Sequence, residues 1–171
     1  MNAQQAHFKL NCGFIAQESI GYRREFLFAI SQLAFQQDFV LRQIEGKIAI
    51  SRTSEGLLAQ GVFQALIDSV CVRCLENFSQ MLHTDFTELF VFPSHATEKT
   101  ELIFPEDGQI DFSPIVAEYM MLEVPINPIC KVSCQGLCPI CGNNLNTGPC
   151  QHDLEDIDPR LEVLKKLLDN V

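Results

Sequence analysis

The chain has 171 residues, a formal net charge of −10 and an apolar content of 47%. A chain of this length can bury a hydrophobic core of its own, so neither disulfides nor metal has to replace one. Because nucleic-acid binders neutralise phosphates with Lys and Arg, the acidity disfavours a general RNA or DNA binder, and equally a membrane-surface protein. No apolar run reaches the length of a membrane span and residues 1–11 lack a secretory signal pattern, so we expect a cytoplasmic protein.

Apolar patterning predicts strands in the first half of the chain. Even-numbered apolar residues of 39–51 share one face, which is typical of a half-buried strand. Residues 57–70 carry apolar groups on both faces, as a central strand would. The Phe and Thr content of 78–92 favours a strand over a helix. Shorter candidate strands are 8–14 and 24–30.

Two helices are expected in the second half. Ser113 as N-cap and Pro114 in the first turn predict a helix over 113–122, apolar nearly all round and therefore packed inside. Pro125 ends it. An Asp-Pro start and an apolar face of leucines predict a second helix over 158–170.

These elements predict an α+β fold. We expect an antiparallel β-rich sheet domain with a short buried helix, a zinc-knuckle segment and a C-terminal helix. Residues 1–129 would form the β-rich core, and residues 130–171 the zinc-knuckle segment and C-terminal helix, packed with the core as one domain.

The chain has eight cysteines, and five of them fall with a histidine in residues 130–152. In a reducing compartment such a set predicts metal ligands or catalytic thiols before disulfides. The sequence Cys-Pro-Ile-Cys-Gly at 138–142 is typical of a zinc knuckle, in which two thiolates hold one side of a tetrahedral ion at about 2.3 Å. Pro139 stiffens the turn, and Gly142 permits a positive φ after the second ligand. A redox Cys-x-x-Cys pair is the alternative, but such a pair usually opens a helix, and turn residues follow here.

Cys150 and His152 supply two further ligands for this knuckle. Eight residues rich in Asn and Gly return the chain from Cys141 at a low entropic cost. The first predicted zinc site is therefore Cys138, Cys141, Cys150 and His152. An ordinary exposed histidine at 152 is the alternative.

Two cysteines of the cluster remain and predict a second site. Only three residues separate Cys134 from Cys138, too few for two ligand pairs to face each other across one ion. Cys130 and Cys134 therefore need a distant partner, which Cys71 and Cys74 supply at the end of the 57–70 segment. This Cys₄ site brings the expected cofactor content to two structural Zn²⁺ ions.

Several blocks of the sequence resemble a known family. They are CVRCLE (71–76), DFSPIVAEYMMLEVPINPIC (111–130), CQGLCPICGNNLN (134–146) and DPRLEVLKKLL (158–168). From about residue 20 onward the chain is similar to the YceD-like family, the large ribosomal RNA subunit accumulation proteins. The resemblance implies a bacterial or organellar cytosolic protein needed for synthesis, processing or stability of 23S rRNA in large-subunit biogenesis, with no enzymatic activity.

The ligand count also argues against an enzyme. A catalytic zinc keeps an open coordination position, whereas four protein ligands close each predicted site. The histidines other than His152 are His7, His83 and His95. None of these three has a nucleophile or a carboxylate at a spacing typical of a catalytic site. A zinc-ribbon adaptor that docks another protein and a thiol oxidoreductase that uses the Cys-x-x-Cys pairs are the alternatives. Cys12 is expected to be a free buried thiol.

The charge favours a basic partner, such as a ribosomal protein or a large-subunit assembly factor. Residues 101–171 contain twelve acidic residues and only four basic ones. A direct rRNA contact is the less favoured alternative, and it would use a few exposed bases: Arg23, Arg24, Lys165 and Lys166. No membrane and no small-molecule substrate is expected.

Overall fold

A computed structural model describes residues 8–36, 39–98 and 100–151. In chain order its elements are β1 (Lys9–Asn11), α1 (Gly13–Ala16), β2 (Arg23–Gln36), β3 (Phe39–Arg52), β4 (Gly56–Val70), β5 (Asn77–Val91), a 3₁₀ turn (Pro93–His95), β6 (Gln109–Asp111) and α2 (Ser113–Leu122). The class is α+β, dominated by antiparallel sheet, as expected.

Four long strands form one antiparallel sheet in the order β2-β3-β4-β5. Each strand pairs with its neighbour in sequence, and β4 lies inside the sheet with partners on both sides. The predicted strands over 39–51, 57–70 and 78–92 are confirmed. The second face of β4 is open, however, since Val62 on that face is 55% exposed.

The other face of the sheet carries the core. Isoleucines of β3, alternate residues of β4 and Phe86 and Phe90 of β5 are buried there. The segment that begins at residue 8 covers this face together with β6 and α2. The ring of Phe8 stacks near that of Phe28, and the ring of Phe112 meets that of Phe90 edge-on, with 5.6 Å between the ring centres. Pairing of β1 with β6 joins the two ends of this covering layer.

Three local predictions need correction. Only residues 9–11 of the predicted 8–14 strand are extended, because Gly13 begins the short helix α1 directly after Cys12. Ser113 is the first residue of α2 and not its N-cap, because Phe112 holds that position without a side-chain cap bond. The backbone N–H of Ser113 donates to Asp111 Oδ1 at 2.8 Å. Leu122 on α2 is 79% exposed, so the helix is buried on one side only.

The predicted C-terminal helix, 158–170, lies outside the described residues. The arrangement of the chain as one domain stays a prediction. None of the helices within the described ranges is long and apolar enough to cross a membrane.

Candidate metal centres

The turn between β4 and β5 is a cysteine knuckle. The backbone N–H of Leu75 donates to the carbonyl of Cys71 at 2.9 Å, and the N–H of Cys71 donates to the carbonyl of Glu76 at 2.9 Å. These bonds fold residues 71–76 so that both cysteine side chains point to the same side. Leu75 adopts φ +59°, a left-handed conformation that non-glycine residues seldom take.

The segment at 138–143 folds in the same way. The N–H of Gly142 donates to the carbonyl of Cys138 at 2.9 Å, and the N–H of Cys138 donates to the carbonyl of Asn143 at 2.8 Å. Gly142 has φ +73°, as the zinc-knuckle pattern predicted. The N–H of Ile140 also points at Cys138 Sγ, 3.4 Å away. The two knuckles therefore share one hydrogen-bond pattern although only the second has the glycine that signals it.

The first knuckle meets a segment from much later in the chain. We call Cys71, Cys74, Cys130 and Cys134 the sheet-linked cluster; their four Sγ atoms all lie within 4.8 Å of one another. The Sγ atoms of Cys71 and Cys134 are 3.8 Å apart, and those of Cys74 and Cys130 are 3.7 Å apart. Four sulfurs about 2.3 Å from a tetrahedral ion are about 3.8 Å from each other. The geometry fits one four-coordinate ion.

Hydrogen bonds hold residues 128–137 against the turn that follows β4. The N–H of Val72 donates to the carbonyl of Pro128 at 2.9 Å, and Arg73 Nη1 donates to the carbonyl of Cys134 at 3.0 Å. The N–H of Leu137 then donates to the carbonyl of Arg73 at 3.0 Å. The turn after β4 is thus the attachment point for residues 128–137.

The second knuckle gathers a smaller set of ligands. We call Cys138, Cys141 and Cys150 the local cluster; their Sγ atoms lie within 4.8 Å of one another. The fourth predicted ligand, His152, lies outside the described residues, so its role stays a prediction. Three thiols at this spacing can hold one face of a tetrahedral ion.

The thiols of the sheet-linked cluster differ in acidity. Burial acts to raise the pKa of Cys71, but backbone hydrogen bonds at Cys130, Cys74 and Arg73 outweigh it and lower the pKa to about 6. Burial, followed by the neighbouring thiol of Cys74, raises the pKa of Cys130 to about 12. Four thiolates so close together repel each other, and a divalent cation offsets that repulsion. The donor set therefore suits a metal ion better than it suits four free thiols.

Cys138 and Cys12, which lie outside the sheet-linked cluster, also differ in acidity. Backbone N–H groups of Cys141 and Ile140 lower the pKa of Cys138 to about 6, which favours the thiolate that a metal requires. Cys12 is fully buried near the start of α1, and its burial raises the pKa to about 12. The prediction of a free buried thiol at Cys12 is confirmed.

Some contributors to the clusters were missed from sequence. Leucine is not a residue type that predicts a turn, so the left-handed conformation of Leu75 in the first knuckle could not be predicted. Asn146 donates from Nδ2 to Cys134 Sγ at 3.4 Å, and Asn144 donates from Nδ2 to Glu76 Oε1 at 2.7 Å. The sequence marked both asparagines only as loop residues; their polar side chains between Cys141 and Cys150 were the available signal.

Comparison with known proteins identifies relatives in bacteria and plants. The family model described as "Large ribosomal RNA subunit accumulation protein YceD" matches residues 59–168. An uncharacterised protein of Mycobacterium bovis is 35% identical over 125 residues, which are 71% of this chain and 60% of that protein. The chain thus spans about 60% of the length of the first curated relatives it matches.

Two more distant relatives extend the comparison. An uncharacterised protein of Bacillus subtilis is 32% identical over 57% of this chain and 58% of its own length. A protein of Arabidopsis thaliana, named large ribosomal RNA subunit accumulation protein YCED homolog 1, chloroplastic, is 25% identical over 67% of this chain and 45% of its own length. No solved structure matches the chain.

Proposed function

Because the chain belongs to the YceD family of large ribosomal RNA subunit accumulation proteins, we propose that it is a non-enzymatic zinc protein needed for synthesis, processing or stability of 23S rRNA. The observation that carries this proposal is the extent of the family match. Residues 59–168 include all seven cysteines of the two clusters. All seven therefore lie inside the part of the chain that the family model matches.

Zinc has a structural role in this proposal. The sheet-linked cluster offers four sulfurs at tetrahedral spacing, which leaves no coordination position for a substrate. The ion would fix the segment after α2 onto the turn between β4 and β5. His152 would complete the local site, making two ions per chain.

The charge of the zinc-loaded chain favours a basic protein as the partner. The formal charge is −10 with neutral thiols. Seven thiolates add seven negative charges and two zinc ions add four positive ones, which gives about −13. Such a charge repels bulk RNA and speeds the encounter with a basic ribosomal protein or assembly factor.

The arginines of the sheet are engaged within the protein. Arg23 pairs with Glu25 at 3.3 Å, and the guanidinium of Arg24 lies 5.0 Å from the ring centre of Phe14. The same holds for the other three arginines in the described ranges: Arg42 pairs with Asp68, Arg52 lies over Phe92, and Arg73 donates to Cys134. This occupancy supports a protein partner over a phosphate contact at Arg23 and Arg24.

Apolar side chains on the cysteine loops support a docking role. Val132 is 90% exposed, Leu75 63% and Ile140 62%, and each lies within or next to a cysteine pair. Exposed apolar groups at several loops of one region are typical of a protein-binding surface. A zinc-ribbon adaptor is therefore the second candidate function, and it is compatible with a role in subunit assembly.

The test is a clean deletion strain complemented with defined variants. Deletion should lower the amount of 23S rRNA relative to 16S rRNA and deplete large subunits in gradient sedimentation. The wild-type gene and Cys12→Ala should restore both, whereas Cys71→Ser should not. An unchanged subunit ratio in the deletion strain would overturn the ribosomal role and leave the adaptor.

A further inference from the structure

The loop that closes the local cluster also reaches the sheet-linked cluster. Asn146 lies between Cys141 and Cys150, yet its Nδ2 donates to the sulfur of Cys134 at 3.4 Å. Its Oδ1 accepts the backbone N–H of Gln135 at 3.0 Å. One side chain from the loop of one cluster is therefore held against a ligand of the other.

A second asparagine fixes this arrangement. Asn144 Oδ1 accepts from both the backbone N–H and the Nδ2 of Asn146, at 2.9 and 2.7 Å. Asn144 Nδ2 donates in turn to Glu76 Oε1 at 2.7 Å, directly after the first knuckle. The N–H of Leu145 donates to the carbonyl of Gly136 at 2.9 Å, which keeps the loop against the segment between the clusters. Loop and sheet-linked cluster are joined by a connected hydrogen-bond network.

We propose that Asn144 and Asn146 couple the two metal centres, so that an ion in the local cluster strengthens binding of the ion in the sheet-linked cluster. This inference rests on the proposed zinc function. An ion held by Cys138, Cys141 and Cys150 orders the loop between them, and the ordered loop presents the amide of Asn146 to the buried sulfur of Cys134. Coupling between sites is reciprocal, so each ion strengthens the binding of the other.

The amide acts on Cys134 as a hydrogen-bond donor to a ligand. The N–H of the Asn146 amide points at the Cys134 sulfur from 3.4 Å, so it stabilises the negative charge that a metal-bound sulfur carries. Cys134 is 4% exposed, so water has little access to replace the lost donor. Partners of this kind typically change metal affinity by about 10- to 100-fold.

The test follows zinc loss from the zinc-loaded full chain. A chromogenic chelator removes zinc in the presence of N-ethylmaleimide, and mass spectrometry of peptides gives the alkylation rate of each cysteine. Asn146→Ala should speed the alkylation of Cys71 and Cys74 by about 10-fold or more. Asn143→Ala is the matched control, since the Asn143 side chain makes no hydrogen bond with any residue the structure describes, and it should leave the rates unchanged.

Two further variants separate coupling from misfolding. Asn146→Asp keeps the size of the side chain and the acceptor for Gln135 but replaces the donor with a carboxylate, so it should accelerate alkylation at least as much as Asn146→Ala. Cys150→Ser should also accelerate alkylation of Cys71 and Cys74, and in the Asn146→Ala background it should add little. Circular dichroism of each variant should show the sheet intact.

The outcomes distinguish this inference from the proposal on which it rests. Wild-type protein without zinc would overturn the zinc proposal and the coupling together. Wild-type protein with two ions, and equal alkylation rates in Asn146→Ala, Asn146→Asp and wild type, would overturn the coupling alone. Full additivity of Cys150→Ser and Asn146→Ala would likewise contradict it, because it would mean that the two changes act independently.

Discussion

The two cysteine clusters are built on the same turn but are placed in the protein in different ways. The knuckle of the sheet-linked cluster joins two 15-residue strands, and 55 residues separate Cys74 from Cys130, the first of its partner cysteines. The local cluster takes all its described ligands from residues 138–150. The same turn can thus either tie distant segments of the chain together or close a loop on itself. Metal should therefore matter most to stability at the sheet-linked cluster.

Breaking the long-range tie should give the largest effect. Cys71→Ser removes a ligand next to β4, so we expect the loss of one zinc ion per chain and a lower melting temperature. A crosslink that closes a loop of about 57 residues contributes roughly 4 kcal/mol by chain entropy. At about 2–4 °C per kcal/mol for a domain of this size, the fall should be about 10 °C in differential scanning calorimetry.

Cys12→Ala provides the control for this variant. It alters a buried thiol outside both clusters, so it should keep both zinc ions and cost only the small packing loss of one sulfur. Equal melting temperatures for Cys71→Ser and the wild type would show that the sheet-linked cluster does not hold the segment after α2 in place.

Breaking the local cluster should give a smaller effect. Cys141→Ser also removes one ion, but it disorders mainly the loop over 142–149 and weakens the sheet-linked cluster only indirectly, and the sheet keeps its own core. We expect the main melting transition to fall by less than half the shift seen for Cys71→Ser. A larger fall for Cys141→Ser than for Cys71→Ser would reverse the comparison between the two clusters.

Cys12 lies outside both clusters and serves as the reference thiol that is not expected to bind metal. Its pKa of about 12 in the folded state lies above its unfolded value of 9.0, so the folded form keeps the proton as the pH rises from 9 to 12. Stability assigned to this group is complete below pH 9 and falls through that window, by roughly 1.4 kcal/mol per pH unit. Chemical denaturation of wild type and Cys12→Ala from pH 8 to 10.5 measures the difference, which should appear only above pH 9.

The reactivity of the thiols distinguishes structural metal sites from redox chemistry. At pH 8 the zinc-loaded protein should show almost no reaction with a thiol reagent, because seven cysteines are bound and Cys12 is buried. Rapid reduction of a disulfide substrate by the zinc-loaded protein would contradict this expectation and support a thiol oxidoreductase.

The sequence predicted the strands well because the signals are local. Alternation in 39–51 and 78–92 shows which side chains face the core, and long neighbouring strands pair in chain order. The pairing of β1 with β6 escaped prediction, since three-residue strands separated by about a hundred residues carry almost no pattern. The N-cap of α2 was misassigned because Ser113 is a residue type that suits that position, whereas the structure places the apolar Phe112 there.

The grouping of the cysteines was also predictable from the sequence. Spacing was enough to group Cys71 and Cys74 with Cys130 and Cys134, and the structure brings these four together. The network of Asn144 and Asn146 depends on how two loops lie against each other, which spacing does not describe. His152 and its predicted place in the local site lie outside the described residues.

The zinc content of the purified protein tests whether both clusters bind metal. The full chain, purified without chelator, is analysed for zinc by elemental mass spectrometry against a protein concentration from amino-acid analysis. The account predicts two zinc ions per chain in the wild type, one in Cys71→Ser and one in Cys141→Ser. A single ion in the wild type, or a disulfide between Cys71 and Cys74 found by peptide mapping, would contradict it.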